Sequence, residues 1–134
     1  SLPEAFADAI GGHFQTIEIQ SGWKDRQDLI GYYNTFEKKF YESDFLKALY
    51  KANTQQYKNK PFFIILDEMN LSHPEHYFAD LLSLMEKTNL NDQKLKICDK
   101  VNDKPELMID DDGTFKLQIP ENVWFIGTAN HDET

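Results

Sequence analysis

The sequence predicts an α/β fold built around a parallel β-sheet. Two short apolar runs, Phe62–Leu66 and Val123–Thr128, lack the alternation of polar and apolar residues that a half-exposed strand shows. Such runs are typical of strands buried on both faces, as in the parallel sheets of α/β proteins. Helical patterns lie between the predicted strands, and this order favours parallel strands joined by right-handed crossovers.

The composition fits one globular domain. The chain has 134 residues, of which 40% are hydrophobic and 13% aromatic, enough to form a core. The formal net charge of -9 argues against a broad surface for DNA or RNA phosphates, although DNA contact through a larger assembly stays open. Cys98 has no partner for an intrachain disulfide, and no apolar stretch approaches membrane-spanning length. We therefore expect a cytoplasmic protein without a membrane segment.

The first third of the chain predicts a helix, a strand and a long connection. Leu2–Ile10 has an amphipathic helical pattern, and the two glycines that follow it would end the helix. Phe14–Gln20 alternates isoleucines with polar residues, as a strand does. Ser21–Tyr41 is predicted to be a long, ordered loop. Its aromatic residues either pack on the sheet edge or stack on a base or a neighbouring subunit: Trp23, Tyr32 and Tyr33.

Two further helices are predicted on either side of the first apolar run. Ser43 or Asp44 would cap a helix that continues to about Lys58. Ser72 would begin the next helix, because Ser72 and Glu75 have the spacing of a capping box. The buried stripe of this second helix would consist of five apolar residues: Tyr77, Phe78, Leu81, Leu82 and Met85.

A polar loop and a β-hairpin are predicted before the second apolar run. Asn89–Lys104 is expected to be a loop with a weak strand at Leu95–Cys98. Leu107–Ile119 is expected to form a hairpin that turns at Asp110–Gly113.

Polar side chains follow both apolar runs where each predicted strand ends. Asp67 and Glu68 come directly after the first run, and Asn130 follows the second. Open α/β sheets bind their ligands at the carboxyl ends of parallel strands, so these residues are candidates for a shared site. The alternative is an ordinary strand end with two acids, and a turn where asparagine is common.

Several motifs occur in the order expected of one family. DEMN, HPEHYFADLLSLME and VWFIGTANHDET closely resemble the McrB-like branch of the AAA+ nucleoside triphosphatases, near the MoxR and dynein-related groups. GWKDRQDLIGYYN resembles the loop after the second strand of that family. The resemblance extends from about Phe14 to Thr134.

This resemblance implies a fold and a set of site residues. The fold would be a three-layer, P-loop NTPase-like parallel sheet with an inserted β-hairpin, in which the family's strand order is 5-1-4-3-2 and strands 4, 3 and 2 lie in this chain. Asp67 matches the Walker B acid that supports Mg²⁺, and Glu68 matches the catalytic glutamate that activates water. Asn130 matches the sensor-1 residue that reads the γ-phosphate. Asp132 lies one residue away from the position of a further family acid.

The sequence lacks several motifs that the family pattern includes. No G-x-x-x-x-G-K-[ST] motif occurs, and this motif supplies the backbone N–H groups and the lysine that hold the phosphates. The arginine finger and helical lid would also come later in the family than the last residue here. We therefore expect residues 1–134 to be a single, partial AAA+ core domain that binds no nucleotide tightly by itself.

The resemblance also implies a function for the intact protein. It would hydrolyse ATP or GTP with Mg²⁺ in a homo-oligomeric ring and so drive remodelling in a restriction or defence system. Its partner would be a McrC-like nuclease, and it would contact DNA only indirectly. One alternative is a non-catalytic interaction module on a degenerate AAA+ scaffold. A metal-dependent nuclease built on Asp67 and Glu68 is a third hypothesis, which requires a further acid and a lysine on an adjacent strand.

Overall fold

The structure of the protein is a computed structural model that describes residues 2–99 and 108–129. The described residues form five α-helices: α1 (Leu2–Ala9), α2 (Arg26–Ile30), α3 (Asp44–Ala52), α4 (Pro74–Tyr77) and α5 (Ala79–Met85). They also form eight strands: β1 (His13–Glu18), β2 (Gly31–Asn34), β3 (Lys39–Glu42), β4 (Phe62–Asp67), β5 (Lys94–Asp99), β6 (Ile109–Asp111), β7 (Thr114–Gln118) and β8 (Val123–Gly127).

A three-stranded parallel sheet lies at the centre of the fold. Its order is β1-β4-β8, so the two apolar runs of the sequence pair directly with each other. The registers of β4 place Leu66 opposite Ile17 on one side and opposite Gly127 on the other. The predicted α/β class is therefore confirmed.

Helices pack on both faces of this sheet. On one face, Ile64 of β4 belongs to the main hydrophobic core, and Phe45 of α3 stacks on Phe125 of β8 with ring centroids 5.9 Å apart. On the other face, the ring of Phe6 from α1 meets the ring of Phe63 edge-on at 5.8 Å. All five residues before Asp67 in β4 are buried, as the apolar run predicted.

The prediction that Val123–Thr128 is buried is wrong for most of its residues. Val123 is buried, but Trp124 is 61% exposed. In the described part of the chain β8 pairs only with β4, so its second edge has no strand beside it. An apolar run therefore marks the strand correctly without guaranteeing its burial.

The predicted loop Ser21–Tyr41 is instead a helix followed by a β-hairpin. The Asp28 carboxylate accepts hydrogen bonds from the backbone N–H groups of Lys24 and Asp25, at 2.9 and 3.2 Å, and so supports the start of α2. The hairpin β2–β3 follows directly. Trp23 packs edge-on against Tyr77 of α4, with centroids 5.4 Å apart, and also lines a cavity with Thr16–Glu18 of the edge strand β1.

Helix α3 begins as predicted and ends earlier. The Ser43 hydroxyl accepts a hydrogen bond from the Leu46 N–H at 3.1 Å, which confirms the predicted cap. The helix stops at Ala52 and not near Lys58. The Asn122 side chain donates to three carbonyl groups around this end, those of Ala52, Tyr57 and Lys60, at 2.9–3.1 Å. The Ala52 carbonyl, which a longer helix would have paired internally, thus receives its hydrogen bond from a distant side chain.

The helical region after β4 differs from the prediction in two ways. The capping position belongs to His73, with Pro74 in the first turn, so the capping box of Ser72 and Glu75 is wrong. The helix is also broken at Phe78 into α4 and α5. This break changes the direction of the apolar stripe: Tyr77, Phe78 and Leu81 are buried, whereas Leu82 and Met85 are 47% and 40% exposed.

A second, antiparallel sheet contains the predicted hairpin. Strands β6 and β7 turn at Asp112 and Gly113, which confirms the hairpin within residues 108–119; Leu107 lies outside the described residues. The predicted weak strand is a regular strand, β5, which pairs with β7 to give the order β5-β7-β6. The inserted hairpin is therefore part of a three-stranded sheet. No helix in the described ranges is long and apolar enough to cross a bilayer.

Candidate functional site

Asp67 is the last residue of the middle strand of the parallel sheet. Its backbone carbonyl accepts a hydrogen bond from the N–H of Ile19 at 3.1 Å, which ties the end of β4 to the chain that leaves β1. Its side chain is half-buried, and Oδ1 accepts a hydrogen bond from the Thr128 hydroxyl at 2.6 Å. The carboxylate is therefore held at the carboxyl edge of the sheet, where the sequence predicted it.

Thr128 connects the ends of β4 and β8. Its N–H donates to the Leu66 carbonyl at 3.0 Å, and its own carbonyl accepts from the Met69 N–H at 2.8 Å. The Glu68 N–H also donates to the Thr128 hydroxyl, at 3.4 Å. No role was predicted for Thr128, although a hydroxyl at the end of an otherwise apolar run is a signal of a polar contact.

Glu68 has a left-handed backbone conformation, with φ 57° and ψ 42°. Residues other than glycine rarely adopt this conformation, and it costs about 1 kcal/mol or more. The conformation turns the chain out of β4 into the 3₁₀ turn Met69–Leu71. Such outliers are frequent at functional sites. Lys38 and Asp112 have the same conformation in hairpin turns, so the conformation of Glu68 does not by itself indicate a catalytic role.

A cavity of about 360 Å³ opens at this edge of the sheet. Its polar lining consists of three carboxylates and two hydroxyls: Glu4, Asp67, Glu68, Thr16 and Thr128. Ile65 and Ala129 complete the described lining, which contains no lysine or arginine. The cavity therefore favours cations, and a triphosphate would enter it only with its charge neutralised.

The carboxylates and hydroxyls of the cavity fit Mg²⁺ only as a partly hydrated ion. Within residues 2–99 and 108–129, no group of three or more His, Cys, Asp or Glu side chains is arranged to hold a metal ion. Mg²⁺ does not require such a cage, because it usually keeps several waters and binds one or two carboxylates together with substrate phosphates. Asp67 is a suitable carboxylate for this role, and its contact with Thr128 fixes its position.

Asn130 lies outside the described residues, as do Asp132 and the remaining C-terminal positions. The preceding residue, Ala129, lines the cavity. The predicted neighbourhood of Asp67, Glu68 and Asn130 therefore stays a prediction for the third member. For the first two, the structure places both residues on one cavity.

The nuclease hypothesis asked for a further acid and a lysine on an adjacent strand. The further acid at the cavity, Glu4, comes from helix α1 and not from a strand. No lysine lines the described part of the cavity. An acid on the adjacent strand does exist, because Glu18 of β1 is the register partner of Asp67. The described lining of the cavity therefore lacks only the lysine that this hypothesis required.

Comparisons with known proteins add no family assignment. No protein-family model matches the chain, and no curated protein matches it either.

Proposed function

We propose that this chain is the central part of an AAA+ nucleoside triphosphatase. The intact protein would hydrolyse ATP or GTP in a homo-oligomeric ring in the cytoplasm. Hydrolysis would drive remodelling in a McrB-like restriction or defence system, with a McrC-like nuclease as partner and DNA contacted through the assembly.

The observation that carries the proposal is the position of Asp67 and Glu68. They follow each other at the carboxyl end of the middle parallel strand and line one cavity. Ligands of open α/β sheets bind at such ends. The strand order also agrees with the family pattern, because β8, β4 and β1 would correspond to strands 4, 3 and 2 of the order 5-1-4-3-2.

The residues would divide the work of hydrolysis between them. A bound Mg²⁺ would neutralise charge on the phosphates, and Asp67 would hold it through its carboxylate. Glu68 would accept a proton from the attacking water, and Asn130 would donate a hydrogen bond to the γ-phosphate. Thr128 would act as a positioning residue, because its hydroxyl contacts the Asp67 carboxylate and the Glu68 N–H.

The cavity lining accounts for the expected weakness of nucleotide binding by this chain alone. A triphosphate needs basic side chains and a cradle of backbone N–H groups, and no lysine or arginine lines the described cavity. Another segment of the intact protein would supply these basic side chains and N–H groups. Titration calorimetry of the 134-residue chain with ATP or GTP should therefore detect no micromolar affinity, and a measured affinity in that range would contradict this part of the proposal.

The decisive variant is Glu68→Gln in the intact protein. We expect nucleotide binding to be retained and turnover to fall by about 100-fold or more, because the general base is lost. Glu121→Gln is the matched control, since Glu121 is exposed in the turn before β8 and its substitution removes the same charge. Full turnover by the Glu68→Gln variant would refute the assigned role. An intact protein without a phosphate-binding loop and without turnover would instead support the non-catalytic module.

A further inference from the structure

The parallel sheet has an open edge at β1. In the described part of the chain β1 pairs only with β4, so its other edge has no strand beside it. The N–H of Ile19, just after β1, donates to the Asp67 carbonyl of β4. Successive residues of a paired strand direct their backbone groups to alternate sides, so the N–H and C=O groups of Thr16 and Glu18 point to the open edge.

A cavity of about 520 Å³ follows this open edge. Thr16, Ile17 and Glu18 of β1 line it. Successive side chains of a strand point to opposite faces of the sheet, so a cavity lined by all three lies along the edge and not on one face. We call it the edge cavity, and its lining also includes Trp23 and Asp44, the first residue of α3.

The edge cavity is acidic. Glu18 and Asp44 are exposed, and the described lining contains no lysine or arginine. Within residues 2–99 and 108–129, neither carboxylate has a basic side chain at ion-pair distance. The chain as a whole has a formal net charge of -9. The charge at this edge therefore favours a cationic occupant.

We propose that the open edge of β1 binds an extended basic segment of another protein, which adds a strand to the parallel sheet. Strand addition is a recurring mode of peptide recognition, in which main-chain hydrogen bonds give affinity and side-chain contacts give specificity. Thr16 and Glu18 would supply the main-chain donors and acceptors. Arginine or lysine side chains would contact the carboxylates of Glu18 and Asp44, and the half-buried Trp23 would pack against their aliphatic stems.

The same charges disfavour a second copy of this chain at the edge. Two β1 edges paired with each other would bring the acidic side chains of both copies together, and like charges at neighbouring strand positions are destabilising. Charged residues on an edge strand commonly prevent such self-association. The edge cavity shares Thr16 with the cavity at Asp67, but the binding of a basic segment does not depend on nucleotide hydrolysis.

The test is the binding of a fluorescent octapeptide of alternating arginine and valine to the 134-residue chain, measured by anisotropy. The same peptide with every backbone nitrogen methylated keeps its side chains and charge but has no N–H donor, so it should bind at least about tenfold more weakly. The double variant Glu18→Gln, Asp44→Asn should bind the unmethylated peptide at least about threefold more weakly, because two exposed ion pairs are lost. By NMR, the N–H groups of Thr16 and Glu18 should exchange with solvent more slowly when this peptide is bound.

The matched control is the double variant Glu86→Gln, Glu121→Gln. Both glutamates are exposed, neither lines the edge cavity, and the net charge changes equally. This control should bind the peptide as the wild type does. Glu4→Gln, which removes a carboxylate from the cavity at Asp67, should also bind it unchanged. If the double variant of the edge cavity does not fold, Glu18→Gln alone replaces it and should bind about twofold more weakly.

Four results would overturn the proposal. The first is no detectable binding of the peptide at low salt. The second is equal binding of the methylated peptide, or an equal loss of affinity in the control variant, which would mean that charge alone decides. The third is slower exchange along β8 instead of at Thr16 and Glu18, which would place the peptide at the other end of the sheet. The fourth is slower exchange of these two N–H groups at high protein concentration without peptide, which would assign the edge to a second copy of the chain.

Discussion

Replacing Thr128 with valine tests how strongly the ends of β4 and β8 are joined at the candidate site. Valine has nearly the same shape but lacks the hydroxyl, so the Asp67 carboxylate loses the hydrogen bond that it accepts at 2.6 Å. The weaker contact from the Glu68 N–H, at 3.4 Å, is lost as well. The backbone bonds of Thr128 to Leu66 and Met69 do not involve the side chain and should remain.

The expected loss of stability follows from the charge of the Asp67 carboxylate and from the burial of its hydrogen bond to Thr128. Hydrogen bonds to charged groups contribute about 1.5–3 kcal/mol. Both side chains are only half-buried, so water replaces part of the loss, and we expect the free energy of unfolding to fall by about 1–2 kcal/mol. The free energy of unfolding of a domain this size falls by about 2 kcal/mol per molar urea, so the unfolding midpoint should move down by about 0.5–1 M.

Equilibrium unfolding in urea, followed by circular dichroism, measures this shift. Thr128→Ser keeps the hydroxyl and should lose less than half as much stability. A double-mutant cycle with Asp67→Asn isolates the contact, and we expect a coupling energy of about 1 kcal/mol. A valine variant within about 0.3 kcal/mol of the wild type would refute the view that Thr128 holds Asp67 in place.

Three further variants test the packing in other parts of the fold. Gly31→Ala should cost at least about 2 kcal/mol, because Gly31 has φ 114° and an added Cβ would collide with the Tyr41 carbonyl. Asn122→Ala should cost about 1–3 kcal/mol, because it leaves carbonyl groups at the end of α3 without their donor. Both are measured as urea midpoints. His13→Gln should reduce the loss of stability on acidification from about pH 8 to about pH 5. Burial, and then the charges of Lys51 and Lys60, lower the pKa of His13 in the folded protein. The unfolded chain therefore binds a proton more readily, and the wild type loses this share of stability as the pH falls below the ordinary histidine pKa of about 6.5.

Each of these predictions has a control or a contradicting result. Gly113→Ala also has a positive φ, 79°, but its added Cβ meets no atom within 4 Å, so it should cost less than Gly31→Ala. An Asn122→Ala variant as stable as the wild type would show that water replaces its hydrogen bonds. If wild type and His13→Gln lose equal stability on acidification, the histidine contributes nothing to the pH dependence.

The sequence predicted the elements whose signals are local. The uninterrupted apolar run of β4, the serine cap of α3 and the DDDG turn of the hairpin each specify their structure within a few residues, and all three are confirmed. The position of Asp67 at a strand end followed from the first of these. The placement of Asp67 and Glu68 on one cavity was predictable for the same reason.

Other elements depend on distant contacts and were missed. Strands β2 and β3 have four residues each, too few for a periodic pattern, and within the described ranges they pair only with each other. The end of α3 depends on Asn122, which is about 70 residues away in the chain. The exposure of Leu82 and Met85 results from the break at Phe78, which a continuous helical pattern does not indicate. The contribution of Glu4 to the cavity likewise requires α1 to pack against the sheet.

The most direct test of the proposed site is a crystal structure of the intact protein with Mg²⁺ and a non-hydrolysable triphosphate analogue. We expect Asp67 to contact the hydrated metal ion, Glu68 to approach the position of the attacking water and Asn130 to face the terminal phosphate. If the nucleotide lies elsewhere, or if Asn130 points away from these two carboxylates, the assignment of this edge of the sheet to nucleotide hydrolysis is wrong.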